Sequence, residues 1–224
     1  SRGIEPMVCL NHFALPLWFA QIGGWENPQA SFYYSRYAKI VAEKIGKPLN
    51  IKWWLTFNEP QVMLLPYTNG NWPPNKPIKN YQDSEGVQSV LSVASNLIDS
   101  HRLSYRAIHR ILGKDAQVSF ASAPHLFYPD NPDSPLDQIA YNTYNGAYTL
   151  LFDYAVGRTD RDFIGLNYYG RYNLIFHISW WKNIIPWLSE NRPFVIEWKS
   201  PLERRQGNRP KEFYPKGLYD LINK

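Results

Sequence analysis

An α/β fold assembled from parallel βα units is predicted by three observations. Short apolar, β-branched runs alternate with longer amphipathic stretches along the chain. Three of the short runs end in amides, acids, imidazoles or phenols, as the carboxyl edge of a parallel sheet does. The 224 residues, 44% of them hydrophobic, suffice to bury a sizeable core as one domain or two small ones.

The elements follow in order. Ile4 to Phe13 reads as a strand running into a loop. Ser31 to Ile45 carries Tyr34, Tyr37, Ala38, Val41 and Ile45 at three- and four-residue spacing, which predicts a helix capped by Ser31 and stopped by Gly46. Ile51 to Phe57 is a strand ended by Asn58-Glu59-Pro60, because proline cannot continue a ladder. Pro66 to Asp83, rich in proline and asparagine, is a long loop of the kind that is often functional. Ser84 to Leu112 is a long helix, with a break expected near Ser100. Ala116 to Ala123 is the third strand, Leu136 to Val156 the third helix and Phe163 to Tyr169 the fourth strand. Arg171 to Arg209 has no clean period and reads as an excursion, and Pro215 to Ile222 is a final short helix. Four strands with three intervening helices fit a piece of a (β/α) barrel or of a doubly wound sheet.

Composition narrows the class. Twenty-four basic against nineteen acidic residues give a net charge of +5, with no run of five like charges, which argues against a nucleic-acid arm. No apolar stretch approaches the roughly 20 residues needed to span a bilayer. The single cysteine, Cys9, excludes an internal disulfide framework and a cysteine metal cage, and no other metal or cofactor motif stands out. With no secretory leader the expected location is cytoplasmic, although a start at Ser1 without an initiator methionine is what an internal fragment has. Aromatic residues make up 16%, which suits either a core of large side chains or flat ligands such as sugar rings.

The polar strand ends are Leu10-Asn11-His12-Phe13, Thr56-Phe57-Asn58-Glu59-Pro60 and Gly165-Leu166-Asn167-Tyr168-Tyr169. Their side chains suit a hydroxyl-rich ligand. Together with Gly3-Ile4-Glu5-Pro6-Met7-Val8, Leu15-Pro16-Leu17-Trp18, Gly23-Gly24-Trp25 and Tyr214-Pro215-Lys216-Gly217-Leu218-Tyr219, they resemble family 1 of the glycoside hydrolases, the β-glucosidase and β-galactosidase family, with the landmarks in the family's order. The resemblance implies a retaining β-glycosidase on a (β/α)₈ TIM barrel, with two carboxylates about 5 to 5.5 Å apart. It places Glu59 as the acid/base, Asn58 as the amide on the sugar 2-hydroxyl, His12 as a glycone contact and Tyr169 as the phenol beside the nucleophile. Asn167, in the same strand-end motif as Tyr169, is a further substrate-binding candidate.

The resemblance is incomplete. The family's nucleophile lies in a Thr-Glu-Asn-Gly segment, and no such run occurs here. By this register residues 1–224 are a single incomplete catalytic domain holding barrel strands three to six, about half the barrel. Lys211 stands where the family usually has tryptophan. Arg192-Pro193-Phe194-Val195-Ile196-Glu197 reads as a short strand ending in an acid, but Glu197 is rejected as a replacement nucleophile because it precedes Phe213 to Tyr219, whereas the family's nucleophile follows that run.

Two readings stand. One is a fragment of a β-glycosidase acting on β-glucosides or related sugars, inactive by itself for want of the nucleophile. The other is a non-catalytic, sugar-binding half-barrel, or a subunit completed by another chain or a second copy through open sheet edges. A serine or zinc hydrolase is not supported, since neither a Gly-x-Ser-x-Gly elbow nor a His-Glu-x-x-His helix occurs. Trp72 and the Trp180-Trp181 pair are further candidates for sugar stacking, with packing the simpler role.

Overall fold

The computed structural model describes residues 3–70, 72–79, 83–124, 126–142, 160–177, 195–199 and 214–222. Two compact units emerge, one of Ser1–Ser122 with Phe152–Leu166 and one of Ala123–Leu151 with Asn167–Lys224.

In the first unit, β1 (Met7–Cys9), β2 (Trp53–Asn58), β3 (Gln117–Ser122) and β5 (Gly165–Leu166) form an all-parallel sheet in the order β1-β2-β3-β5. Each strand is linked to the next by a crossover too long for a hairpin, as a parallel sheet requires. β2 is buried over most of its length, with Trp54, Thr56 and Phe57 all at 0% exposure, so it reads as continuous apolar sequence rather than an alternation. Of the helices α1 (Leu17–Gln21), α2 (Ala30–Val41), α3 (Lys47–Leu49), α4 (Leu65–Thr68) and α5 (Ser84–Leu112), α2 and α5 pack against each other. Trp25, Tyr34 and Phe57 form the aromatic heart of the core: Tyr34 stacks on Phe57 at 4.6 Å, and Trp25 meets both edge-on.

Several expectations are corrected in this unit. α2 begins at Ala30, and its first turn is held by the Asn27 carbonyl, so Ser31 lies inside the helix and is not its cap. The chain then continues through a π-helical turn, Ala42–Gly46, and a short α3 (Lys47–Leu49). Gly46 is required there by space, since a Cβ would stand 2.5 Å from Trp54 Cζ2. α5 is unbroken at Ser100: Val93, Leu97, Ser104 and Ile108 stay in phase on its buried face, so packing overrides the local weakness of a serine. Asp83 caps α5 by accepting from the Gly86 N–H. β5 is two residues long, shorter than the run of Phe163 to Tyr169 suggests.

In the second unit, β4 (Leu126–Pro129) pairs in parallel with β6 (Arg171–His177), which pairs antiparallel with β7 (Val195–Lys199). These strands correct the reading of Arg171 to Arg209 as an excursion. Glu197 sits within β7, opposite Ile175. Phe127, Ala140 and Leu174 form a small core with Tyr141 and Tyr172 against it. The Arg171 guanidinium lies 4.3 Å over the Tyr214 ring, and the Tyr168 hydroxyl donates to the Tyr214 carbonyl. The final helix spans Pro215–Ile222 as the sequence predicts. The third predicted helix is helical over residues 135–142, and its remainder lies outside the described residues, as do Trp180, Trp181 and Lys211.

Among the described residues, no helix is long and apolar enough to cross a membrane. Nor do they contain a cluster of histidine, cysteine, aspartate or glutamate able to hold a metal ion.

Candidate active site

The site is built where β1 and β2 end. Just beyond β1, Asn11 turns the chain on its own side chain: Oδ1 accepts from the Phe13 N–H at 3.1 Å and Nδ2 donates to the Ala14 carbonyl at 2.9 Å. Phe13 is thereby held at φ 71°, a conformation disfavoured for a bulky residue. The Asn58 N–H donates to the Asn11 carbonyl at 2.9 Å, which ties the two strand ends together. His12 Nε2 lies 3.3 Å from Asn58 Nδ2. An amide nitrogen can only donate, so Nε2 accepts and the His12 proton resides on Nδ1.

β2 then departs from regular pairing. Leu55 pairs with Ser119 and Asn58 with Ala121, so three steps along β2 match two along β3. Such a bulge re-aims the side chains beyond it. Glu59 follows at φ 48°, its N–H donating to the Ala121 carbonyl at 2.7 Å and its own carbonyl accepting from Val62. Pro60 opens a 3₁₀ turn, Pro60–Leu64. Asn58 and Glu59 are buried, at 9% and 6% exposure. A non-glycine residue at positive φ is the kind of strain that clusters at functional sites.

Helices hold the bulge from behind. His101 on α5 is fully buried, with Nδ1 2.7 Å from Thr56 Oγ1 and Nε2 2.6 Å from the Asp160 carbonyl. Burial, only partly offset by the contact with Asp160, pushes the imidazole down to about 4. The Tyr34 hydroxyl on α2 donates to the Thr56 carbonyl, and burial pushes this phenol well above its ordinary range. Gln61 Nε2 donates to Ser122 Oγ at 3.2 Å, linking the turn after Glu59 to the end of β3.

A hollow of about 460 Å³ lies between the loop after β1 and the loop after Glu59, lined in part by Phe13, Trp25, Tyr67 and Trp72. Phe13 and Trp72 approach to 6.5 Å. Glu26, also in the lining, accepts from Lys76 Nζ at 2.6 Å and from Ser89 Oγ at 2.5 Å. Burial alone would raise this carboxyl, but the hydrogen bonds from Lys76 and Ser89 outweigh it and hold it below its usual range.

The structure therefore brings His12, Asn58 and Glu59 together. Asn167 and Tyr169 belong to the second unit, directly after β5, Asn167 half-buried and Tyr169 41% exposed. Sequence reading missed the support behind the site: Thr56, Tyr34 and above all His101. A signal for His101 exists, a polar residue inside the apolar stripe of α5 at helical spacing from Leu97 and Ile108.

The model of glycosyl hydrolase family 1 matches residues 1–153, well over half of the chain. The chain belongs to glycosyl hydrolase family 1. It is 26% identical to the β-galactosidase of Pyrococcus woesei, over 99% of this chain and 51% of that protein. It is 29% identical to myrosinase 1 of Brevicoryne brassicae, over 61% of this chain and 28% of that protein. Among solved structures, the β-glycosidase from Pyrococcus horikoshii superposes with a TM-score of 0.75 at 25% identity, covering 99% of this chain and 50% of that one. A family 1 β-glucosidase from Thermotoga maritima gives 0.72 at 18% identity, covering 99% and 51%. This family 1 chain thus spans about half the length of those solved structures, and its fold is that of part of a (β/α)₈ barrel.

Proposed function

We propose that this chain carries the acid/base half of a retaining β-glycosidase that hydrolyses terminal β-glucosides or related β-glycosides. The reading is carried by one observation: Asn58 and Glu59 stand at the bulged carboxyl end of β2, with His12 Nε2 3.3 Å from Asn58 Nδ2, in a chain of glycosyl hydrolase family 1. Glu59 in its acid form gives a proton to the glycosidic oxygen as the bond from that oxygen to the anomeric carbon breaks. A second carboxylate takes the anomeric carbon, forming a glycosyl ester. Glu59, now ionised, then removes a proton from water, whose oxygen displaces the ester carboxylate and restores the β-configuration. Asn58 and His12 hold glycone hydroxyls, and the family resemblance gives Asn167 and Tyr169 sugar-binding roles of their own.

The second carboxylate is assigned to a Thr-Glu-Asn-Gly strand that these 224 residues do not contain. A separate observation favours completion by further strands: among the described residues β1 pairs only with β2 and stands at the sheet edge, with Ile4 82% and Met7 51% exposed. Isolated, the 224-residue chain is expected to give no turnover of a nitrophenyl β-glucoside above buffer. Turnover that disappears in Glu59→Gln would contradict the assignment of the nucleophile to a strand outside the chain.

A further inference from the structure

His101 and Thr56, both at 0% exposure, meet just before the Glu59 strand end. A carbonyl can only accept, so the 2.6 Å contact with the Asp160 carbonyl fixes the ring proton on Nε2. Nδ1 is then a bare acceptor, and the Thr56 hydroxyl must donate to it across 2.7 Å. The alternative acceptor for that hydroxyl, the Ser119 carbonyl, is farther away at 3.3 Å. Thr56 therefore has one determined hydrogen-bond direction, and it falls inside the segment from Leu55 to Asn58 where the ladder with β3 loses its register. A bulge lacks the regular rungs that would otherwise fix its backbone. Here two side chains supply what the ladder does not: the Tyr34 hydroxyl on the Thr56 carbonyl and the His101 ring on the Thr56 hydroxyl.

The geometry points to His101 as a positioning residue: through Thr56 it locks the β2 bulge and so sets the direction in which Asn58 and Glu59 leave the strand. The other end of the lock is anchored as well. Asp160, whose carbonyl accepts from the Nε2–H, has its carboxylate 3.4 Å from Arg102 Nε and 3.9 Å from an Arg106 amino group, both on α5. α5, the 160 segment and β2 are thus joined through one imidazole. The assignment rests on Glu59 and Asn58 being the working strand end. Amide exchange at Glu59 needs no sugar and no turnover, so the assignment stands or falls separately from the glycosidase function.

The test is amide hydrogen exchange by NMR on the 224-residue chain, with His101→Phe, which keeps a ring and loses both hydrogen bonds, and His101→Gln, whose amide can accept and donate once each. Thr56→Val provides a milder route, removing only the hydroxyl. The amide to follow is that of Glu59, which donates to the Ala121 carbonyl beyond the bulge. In His101→Phe and in Thr56→Val its protection is expected to fall about 10-fold, the scale of one lost buried hydrogen bond, while Cys9 and Val118 amides keep theirs. His101→Gln is expected to restore protection to within about 3-fold. In the wild-type chain the imidazole nitrogen spectrum is expected to show Nε2 protonated and Nδ1 bare. Unchanged Glu59 protection in folded Thr56→Val, an equal loss at Glu59, Cys9 and Val118, or a proton found on Nδ1 would each overturn the assignment.

Discussion

In the unit of Ser1–Ser122 with Phe152–Leu166, an all-parallel sheet shares one continuous core with α2 and α5, running from Leu10 through Trp54 and Phe57 to Phe120. In the unit of Ala123–Leu151 with Asn167–Lys224, the described core is Phe127, Ala140 and Leu174, and much of the remaining organisation is polar and aromatic: Arg171 over Tyr214, Tyr128 donating to Asp220, Tyr168 donating to Tyr214. The difference shows what a strained strand end needs. Glu59 at positive φ and the bulge before it are backed by α2 and α5, through Tyr34 and His101 on Thr56, because a conformation costing of order 1–3 kcal/mol persists only where the surroundings over-determine it. Asn167 and Tyr169 follow a two-residue strand, and among the described residues their unit has the smaller core.

Truncating each core should widen that contrast. Trp54→Ala removes a fully buried indole beneath Gly46 and is expected to cost about 3–5 kcal/mol, as large aromatic truncations do. Leu174→Ala is expected near the lower end of the roughly 2–5 kcal/mol range for leucine, because among the described residues its buried partners are Phe127 and Ala140. Denaturant unfolding followed separately through β2 and β6 amides measures both. Equal losses, or a larger one at Leu174, would show that the smaller core is not the weaker one.

Acid should separate the units further. His101 has a folded-state pKa of about 4 against 6.5 for the free side chain, so the unfolded chain binds the proton more readily. Its contribution is full above pH 6.5 and is lost as the pH falls from 6.5 through 4, by about 3 kcal/mol at most. Arg102 and Arg161 push in the same direction as burial, and Asp160 opposes it. In unfolding measured between pH 7 and pH 4, the first unit is expected to lose stability over this window, and His101→Phe should flatten that slope. A slope unchanged in the variant would assign the acid lability elsewhere.

Much of this architecture was legible in the sequence, for identifiable reasons. α5 and the Pro215–Ile222 helix have the predicted bounds because their apolar spacing is helical throughout and each starts at a clear signal, Asp83 before Ser84 and Pro215 itself. The end of β2 was legible because Pro60 stops the ladder. β4 and β6 were not, since Pro129 and the mixed polar pattern of Arg171 to His177 match neither period, and their pairing is set by tertiary contacts. In the site, His12, Asn58 and Glu59 could be read from motif residues, whereas the Thr56 and His101 pairing joins positions 45 residues apart that no local pattern connects. The bulge was equally hidden, since register is a property of two strands.

The central claim, that Glu59 is the acid/base at the end of β2, is tested most directly by Glu59→Ala in the complete natural protein that contains this chain. A proton donor matters most when the leaving group is poor. Hydrolysis of an alkyl β-glucoside should therefore fall about 10²- to 10⁴-fold, while formation of the glycosyl ester from a nitrophenyl β-glucoside falls much less. Azide, which needs no general base, should restore turnover and yield the β-glycosyl azide. Equal losses for good and poor leaving groups, with no azide adduct, would contradict the account and remove Glu59 from the chemistry.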